Sequence, residues 1–305
     1  MIFTRALFAL CIISASAYAN LTVQGGIGYR EDQLDWSIAG FNDQPNILSE
    51  LKWREVKSVE VSLEAAYSNN YNIYMRANGD IAGIFSGNNR DSDYHGNQRT
   101  EEFSRSYARS DGDYAYDASA GAGYLFGFLN NQAIIAPVVG YSVHGQHLCM
   151  HDGKLVISEF PGALGPIQGL DSTYTATWYG PWLGLDLSWA AIMGVRLWGA
   201  AEYHFARFDG SGHWNLRSDI IDNFTHEANG YGIVLKSGLA FPLTDCLELG
   251  LKGVFQTWRA EDGVDKVTAL VETDNGSSAP LTFHTKFNAV NWQSWTASIF
   301  VQYFF

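Results

Sequence analysis

Long apolar runs are missing from most of this chain. After Ala19 no stretch of 18 residues is free of polar side chains, which excludes membrane-spanning helices. Basic residues are few as well, 19 Lys and Arg against 32 Asp and Glu, and that balance argues against nucleic acid as a partner. Cysteine appears three times, at 11, 149 and 246, and proline only seven times. What is abundant is glycine (31 residues) together with 10 Trp, 16 Tyr and 18 Phe, a composition that suits a β-rich chain. The mean hydropathy of −0.10 is compatible with a membrane protein of one kind, because strands that alternate apolar and polar residues average near zero.

The two ends carry the strongest signals. Residues 1–19 hold one basic residue, Arg5, then an apolar run from Ala6 to Ile13, then small residues closing on Ala17-Tyr18-Ala19. This reads as a secretory signal peptide, which leaves a single domain at 20–305. At the other end Trp295, Ala297, Ile299, Val301, Tyr303 and Phe305 alternate with Ser294, Thr296, Ser298 and Gln302, with Phe300 and Phe304 as exceptions. A period of two makes a strand with one greasy face, and in water such an edge would aggregate. Closure into a barrel within lipid removes that edge, and the closing strand of bacterial outer-membrane proteins looks like this.

Ten alternating segments follow the same rule: 21–39, 47–67, 71–83, 113–128, 132–148, 172–189, 194–209, 225–241, 246–260 and 289–305. Short connections at 68–70, 129–131, 190–193 and 242–245 alternate with long polar ones at 84–112, 149–171, 210–224 and 261–288. The expected fold is therefore all-β, a ten-stranded antiparallel transmembrane β-barrel with both termini periplasmic and the long loops outside. It would sit in the outer membrane of a Gram-negative bacterium, in lipid or lipopolysaccharide. Counting by twos turns Arg76, Asp80, Asp117, Asp186, Glu202, His204, Lys236 and Lys252 inward, where a narrow barrel would pack them as a network. Trp178, Trp182, Trp198, Trp258, Trp292 and Trp295 fall near strand ends and are expected in an aromatic girdle. Cys149 and Cys246 fall at opposite ends of the barrel and are expected as free thiols.

No cofactor or metal is expected. Gly121-Ala-Gly123 lies inside a strand with no helix after it, unlike a dinucleotide loop. His144 and His147 are three apart in a strand and point to opposite faces, which breaks up the set His144, His147, Cys149, His151 and Asp152.

Chemistry-bearing residues gather instead on the long connections. Asn88-Asn-Arg-Asp91-Ser-Asp93-Tyr94 sets two carboxylates two residues apart, and Phe208-Asp209-Gly-Ser-Gly-His213-Trp214 brings an acid near a histidine. With Leu48-Ser-Glu-Leu-Lys-Trp53 and a total of ten strands, this resembles the omptins, outer-membrane proteases. That resemblance implies an Asp pair on one rim, matched by Asp91 and Asp93, and an Asp–His pair opposite, which together activate a water against a peptide carbonyl. His213 and Asp209 are the candidates for the second pair. The omptin spacing puts the Asp two residues before the His, where this chain has Ser211, and only a bulge at Gly210 or Gly212 would turn Asp209 and His213 inward. Tyr179-Gly-Pro-Trp-Leu-Gly-Leu-Asp186 and Gly212-His-Trp-Asn-Leu-Arg217 resemble the outer-membrane proteins of chlamydia-like bacteria, the Protochlamydia outer membrane protein family, which implies a porin-like role. Two functions stand side by side: a non-catalytic barrel (narrow porin, envelope-structural or surface-binding), and an omptin-like endopeptidase. Peptides or small solutes at the mouth are the partners these imply.

Overall fold

The structure, a computed structural model, describes residues 19–130, 132–190, 194–272 and 278–305. Residues 1–18 of the proposed signal peptide and 191–193 of the connection at 190–193 lie outside the described residues. The strands are β1 (Ala19–Ile38), β2 (Ser49–Asn69), β3 (Ile73–Gly96), β4 (Thr100–Arg109), β5 (Tyr114–Tyr124), β6 (Phe126–Phe128), β7 (Ala133–Ser158), β8 (Gly165–Pro166), β9 (Asp171–Ala190), β10 (Arg196–His213), β11 (Phe224–Thr244), β12 (Leu247–Glu272) and β13 (Ser278–Phe304). All pairings are antiparallel, and β13 pairs β1 from Thr22↔Phe304 to Ile38↔Phe287, so the sheet closes on itself. β4 and β5 lie in line between β3 and β7, β4 against their far halves and β5 against their near halves. Counting that pair as one stave, the ring has ten.

The closing strand behaves as its alternation demands. Trp295, Ile299, Val301, Tyr303 and Phe305 are exposed, while Ser294, Thr296, Ser298 and Gln302 are buried. Phe300 interrupts the polar series because its ring fills the lumen, under Gly250 and edge-on to Trp198. Outward apolar positions run from Leu21 to Tyr29 on β1 and from Tyr303 to Trp295 on β13, the ~9–11 residues a tilted strand needs to cross a bilayer. Rings border that band: Tyr29 against Phe85 and Trp295 at one level, with Tyr203 stacked on Tyr231, and Tyr303 against Phe305 at the other. One step beyond Tyr29 and Phe205 the outward residues are Glu31 and Arg207.

Two expectations are corrected here. The girdle does not include Trp178, Trp182, Trp258 or Trp292, all of which are buried inside the barrel. Proximity to a strand end suggested the girdle, but these residues occupy inward positions of the period, and closure of so narrow a ring leaves space that only large rings fill. Trp198 also points inward, over Gly238. The second correction concerns the long connections, which are mostly not loops. β3 with β4, and β12 with β13, continue as paired ribbons well past the lipid band, to Gly96↔Thr100 and Glu272↔Ser278. Beyond the membrane their alternation is between a cavity and water, so it contains more charge and reads as loop.

Candidate functional site

The lumen is packed in the middle and open at both ends. Arg30, fully buried, bonds Asp32 at 2.9 Å, Asp117 at 2.5 Å and Glu60 at 3.2 Å. Asp32 also takes the Trp292 indole N–H at 2.8 Å, and Asp117 takes His144 at 2.6 Å. Trp258 stacks on Trp292 and abuts both His144 and His204. Glu202 gathers His204, Arg76 and Lys236 within 3.0, 2.8 and 3.1 Å. Paired and bonded like this, the charges tolerate a low-dielectric interior that would expel any of them alone. A central void of about 30 Å³ remains, room for a water or two.

At the long-loop end a cavity of about 630 Å³ opens, walled largely by apolar side chains such as Trp36, Leu155, Leu170, Trp214 and Phe224. Asp91 and Asp93 line it together, two apart on one face of β3. Burial, then the charge on Asp93, pushes Asp91 well above the usual carboxylate range, and its Oδ1 has no hydrogen-bond partner among the described residues. Burial raises Asp93 too, opposed by the hydroxyls of Ser49 and Ser104 and the charge of Arg217. Arg217 is largely committed elsewhere, at 2.7 Å from Asp219. On the opposite face of the same ladder, buried Glu50 bonds Arg99, Arg90 and Lys52 at 2.8, 2.9 and 3.1 Å and ties the tip of the β3–β4 ribbon to β2.

The other two sequence candidates are placed elsewhere. The β10 ladder to β9 runs in unbroken register from Arg207↔Tyr179 to His213↔Thr173, so no bulge turns Asp209 or His213 inward. Asp209 accepts a hydrogen bond from Tyr179 at 2.8 Å on the outer surface, and His213 is exposed. Gly210 and Gly212 serve packing: a Cβ there would lie 2.3 Å from the Tyr174 hydroxyl and 2.0 Å from the Phe224 ring.

A different imidazole–carboxylate pair faces the cavity. His226 on β11 stands opposite Asp265 on β12, Nε2 to Oδ1 at 3.2 Å. Trp36, Phe224 and Phe287 surround its ring, and Thr285 donates to Asp265 at 2.7 Å. Burial holds His226 below the ordinary imidazole pKa, against the pull of Asp265, and burial raises Tyr174, whose hydroxyl lies 2.9 Å from Nδ1. When the Tyr174 phenol donates, Nδ1 accepts and the ring proton sits on Nε2, which faces Asp265 at 3.2 Å without a well-formed hydrogen bond. Neither nitrogen is then left with a free lone pair facing the cavity.

The sequence hides this pair because Asp265 lies in the polar stretch 261–288, which has the composition of a loop. The parity of β12 also flips: Trp258 and Ala260 are inward, then Asp262 takes a positive φ of 54°, and Asp265 becomes the inward residue. Among the described residues no group of three His, Cys, Asp or Glu side chains is arranged to hold a metal. His147 pairs outward with Asp113 at 2.8 Å, His151 with Asp111 at 3.2 Å, and both Cys149 and Cys246 are free thiols.

A closed ring of ten tilted strands with a lipid-facing apolar band defines a bacterial outer-membrane β-barrel. Over residues 24–305 the chain matches the model of the Protochlamydia outer membrane protein family, and it belongs to that family. Its fold is similar to that of the outer membrane protease OmpT from Escherichia coli, at TM-score 0.77 and 12% identity over 94% of this chain and 97% of that one. The translocator domain of the autotransporter NalP from Neisseria meningitidis aligns at TM-score 0.35 and 12% identity, over 95% and 90% of the two chains. No curated protein matches in sequence.

Proposed function

We propose that this outer-membrane barrel is a closed, surface-displayed binding protein, with the long-loop end outside and both termini in the periplasm. The observation that supports it is the lumen: a buried Arg30–Asp117–His144 core and stacked tryptophans separate the two open ends. The mouth cavity, apolar with two carboxylates that no Lys or Arg fully neutralises, suits a ligand with a cationic group on an apolar body. Refolded protein in a planar bilayer should give no unitary conductance steps, while a cationic amphiphile should bind saturably and lose most affinity on Asp93→Asn. Steady open-channel conductance of the native protein would sink this reading.

The endopeptidase reading keeps one specific support: Asp91, Asp93, His226 and Asp265 line a single cavity. If it holds, a dibasic peptide is cleaved, His226→Ala and Asp93→Asn each remove most of the activity, and His213→Ala does not. With Nδ1 taken up by the Tyr174 hydroxyl, His226 favours binding over hydrolysis, since a general base needs a lone pair within reach of the water it deprotonates.

A further inference from the structure

Past the lipid band the β12–β13 ribbon outruns β1, and its two edges differ. The Lys286 carbonyl accepts the Ala39 N–H at 2.9 Å, on the side away from β12, so the alternate residues above it, His284, Thr282 and Pro280, turn their backbone groups the same way. β1 has left by then, since its register with β13 ends at Ile38↔Phe287. Opposite these residues on β12 stand Lys266, Thr268 and Leu270, whose backbone groups face the other edge, and there the chain covers itself. Ile221 donates to the Thr268 carbonyl at 3.0 Å, Leu270 donates to the Asp219 carbonyl at 2.7 Å, and Ile220 bridges Ala269 antiparallel. Across the rim the Leu48 carbonyl closes the β3 edge in the same manner, accepting the Tyr94 N–H at 2.8 Å.

Among the described residues no segment covers the β13 edge, and Thr282 and His284 are both exposed. Pro280 marks the edge as well, because a proline within a sheet is confined to places where its missing N–H would point away from a partner. Water can serve each of these groups singly. What the edge presents beyond that is a row of donors and acceptors repeating every ~6.8 Å, which another extended backbone matches in full. The side chains add a preference. Leu281 and Phe283 share the inward parity of Thr285, which lines the mouth cavity, and Leu281 is half exposed on that face, while Thr282 and His284 point outward. We propose that residues 280–284 of β13 take up a short extended segment of another protein as an added antiparallel strand. That segment is apolar beside Leu281 and Phe283 and polar beside Thr282 and His284. A second copy of this chain fits less well: in antiparallel self-pairing about Thr282, the His284 carbonyl meets Pro280, which has no N–H to give.

The test titrates a labelled peptide of alternating threonine and leucine into the refolded protein, followed by fluorescence polarisation. Saturable binding is expected. Hydrogen exchange should slow on binding at the Thr282 and His284 amides and stay as it was at Phe283 and Thr285, whose amides already face β12. Thr282→Pro and His284→Pro each remove one edge N–H and no bond to β12, so each should weaken binding about tenfold or more, with heat-dependent gel mobility confirming a folded barrel. N-methylation of the peptide's threonine amides, which face β13 in an antiparallel pairing, should abolish binding, and N-methylation of its leucine amides should not. Asp93→Asn should leave affinity unchanged, which separates this edge from the ligand proposed for the mouth cavity. No saturable binding to the native protein, full affinity in the folded proline variants, equal affinity for the threonine-methylated peptide, or binding lost in Asp93→Asn would overturn the assignment. So would a light-scattering mass of two barrels that falls to one in Thr282→Pro, which would give the edge to a second copy.

Discussion

Asp91 and Asp93 show what a second charge does to the first. Two carboxylates on one strand face, under apolar side chains, cannot both ionise cheaply, so the pair keeps a proton that the unfolded chain would release near pH 4. Groups whose folded pKa is raised contribute stability that is complete below the unfolded value and is lost as pH climbs through the folded one. Arg217 and Glu102, the charged groups facing Asp93, act in opposite senses. Asp91→Asn removes the repulsion along with the buried charge. It should therefore slow hydrogen exchange in the β3–β4 ribbon at pH 8 and have little effect at pH 4. Faster exchange at pH 8 would show that the Asp91 carboxylate is held by a partner instead. Cys149 is a simpler case: burial, then the charge of Asp113, pushes its thiol up to about 11. Alkylation of the native protein at pH 8 should be slow at Cys149 and should accelerate on denaturation, because the thiolate is the reactive form.

Strand parity decides which side chains meet, and it can be altered by one residue. In the lipid-crossing halves the period of two holds without interruption, so Ile299 faces lipid and Ser298 faces the lumen. Ile299→Arg should cost about 2–4 kcal/mol and impair insertion. Ser298→Arg tests the inward face, where the longer side chain would collide with packed side chains rather than acyl chains; outer-membrane assembly of Ile299→Arg at the native level would reverse the assignment. Past the membrane the rule fails. The β2–β3 ladder slips between Arg54 and Ser58, with Glu55 at φ 53°, and β12 slips at Asp262. Such slips turn Asp91 and Asp265 towards the cavity, whereas β10 has none and leaves Asp209 and His213 outside. Asp91 and Asp93 could be picked out in the sequence as a pair; their partner on the far wall could not. A bulge is a backbone event with a weak sequence signature, and each one inverts every assignment after it.

For the molecule as a whole, closure of the ring creates the interior, and the interior's narrowness creates the plug. Arg30 holds three carboxylates at once, so Arg30→Ala leaves Asp32, Glu60 and Asp117 facing one another and should destabilise the barrel by about 3–5 kcal/mol, read as a lower midpoint in urea unfolding. An unchanged midpoint would mean the network is dispensable and the stacked tryptophans alone fill the lumen. The alternation of 289–305, the inward charges and the rhythm of short and long connections determined the class of fold from sequence alone. They could do so because lipid imposes one simple condition on every second residue. Tertiary structure decided the rest: that five of the six tryptophans expected in the girdle face inward, that the long connections are ribbons, and that His226 rather than His213 shares a cavity with Asp91. These depend on the curvature of the closed sheet and on where its register slips, and both are set by strands far apart in the chain, beyond the reach of any local pattern.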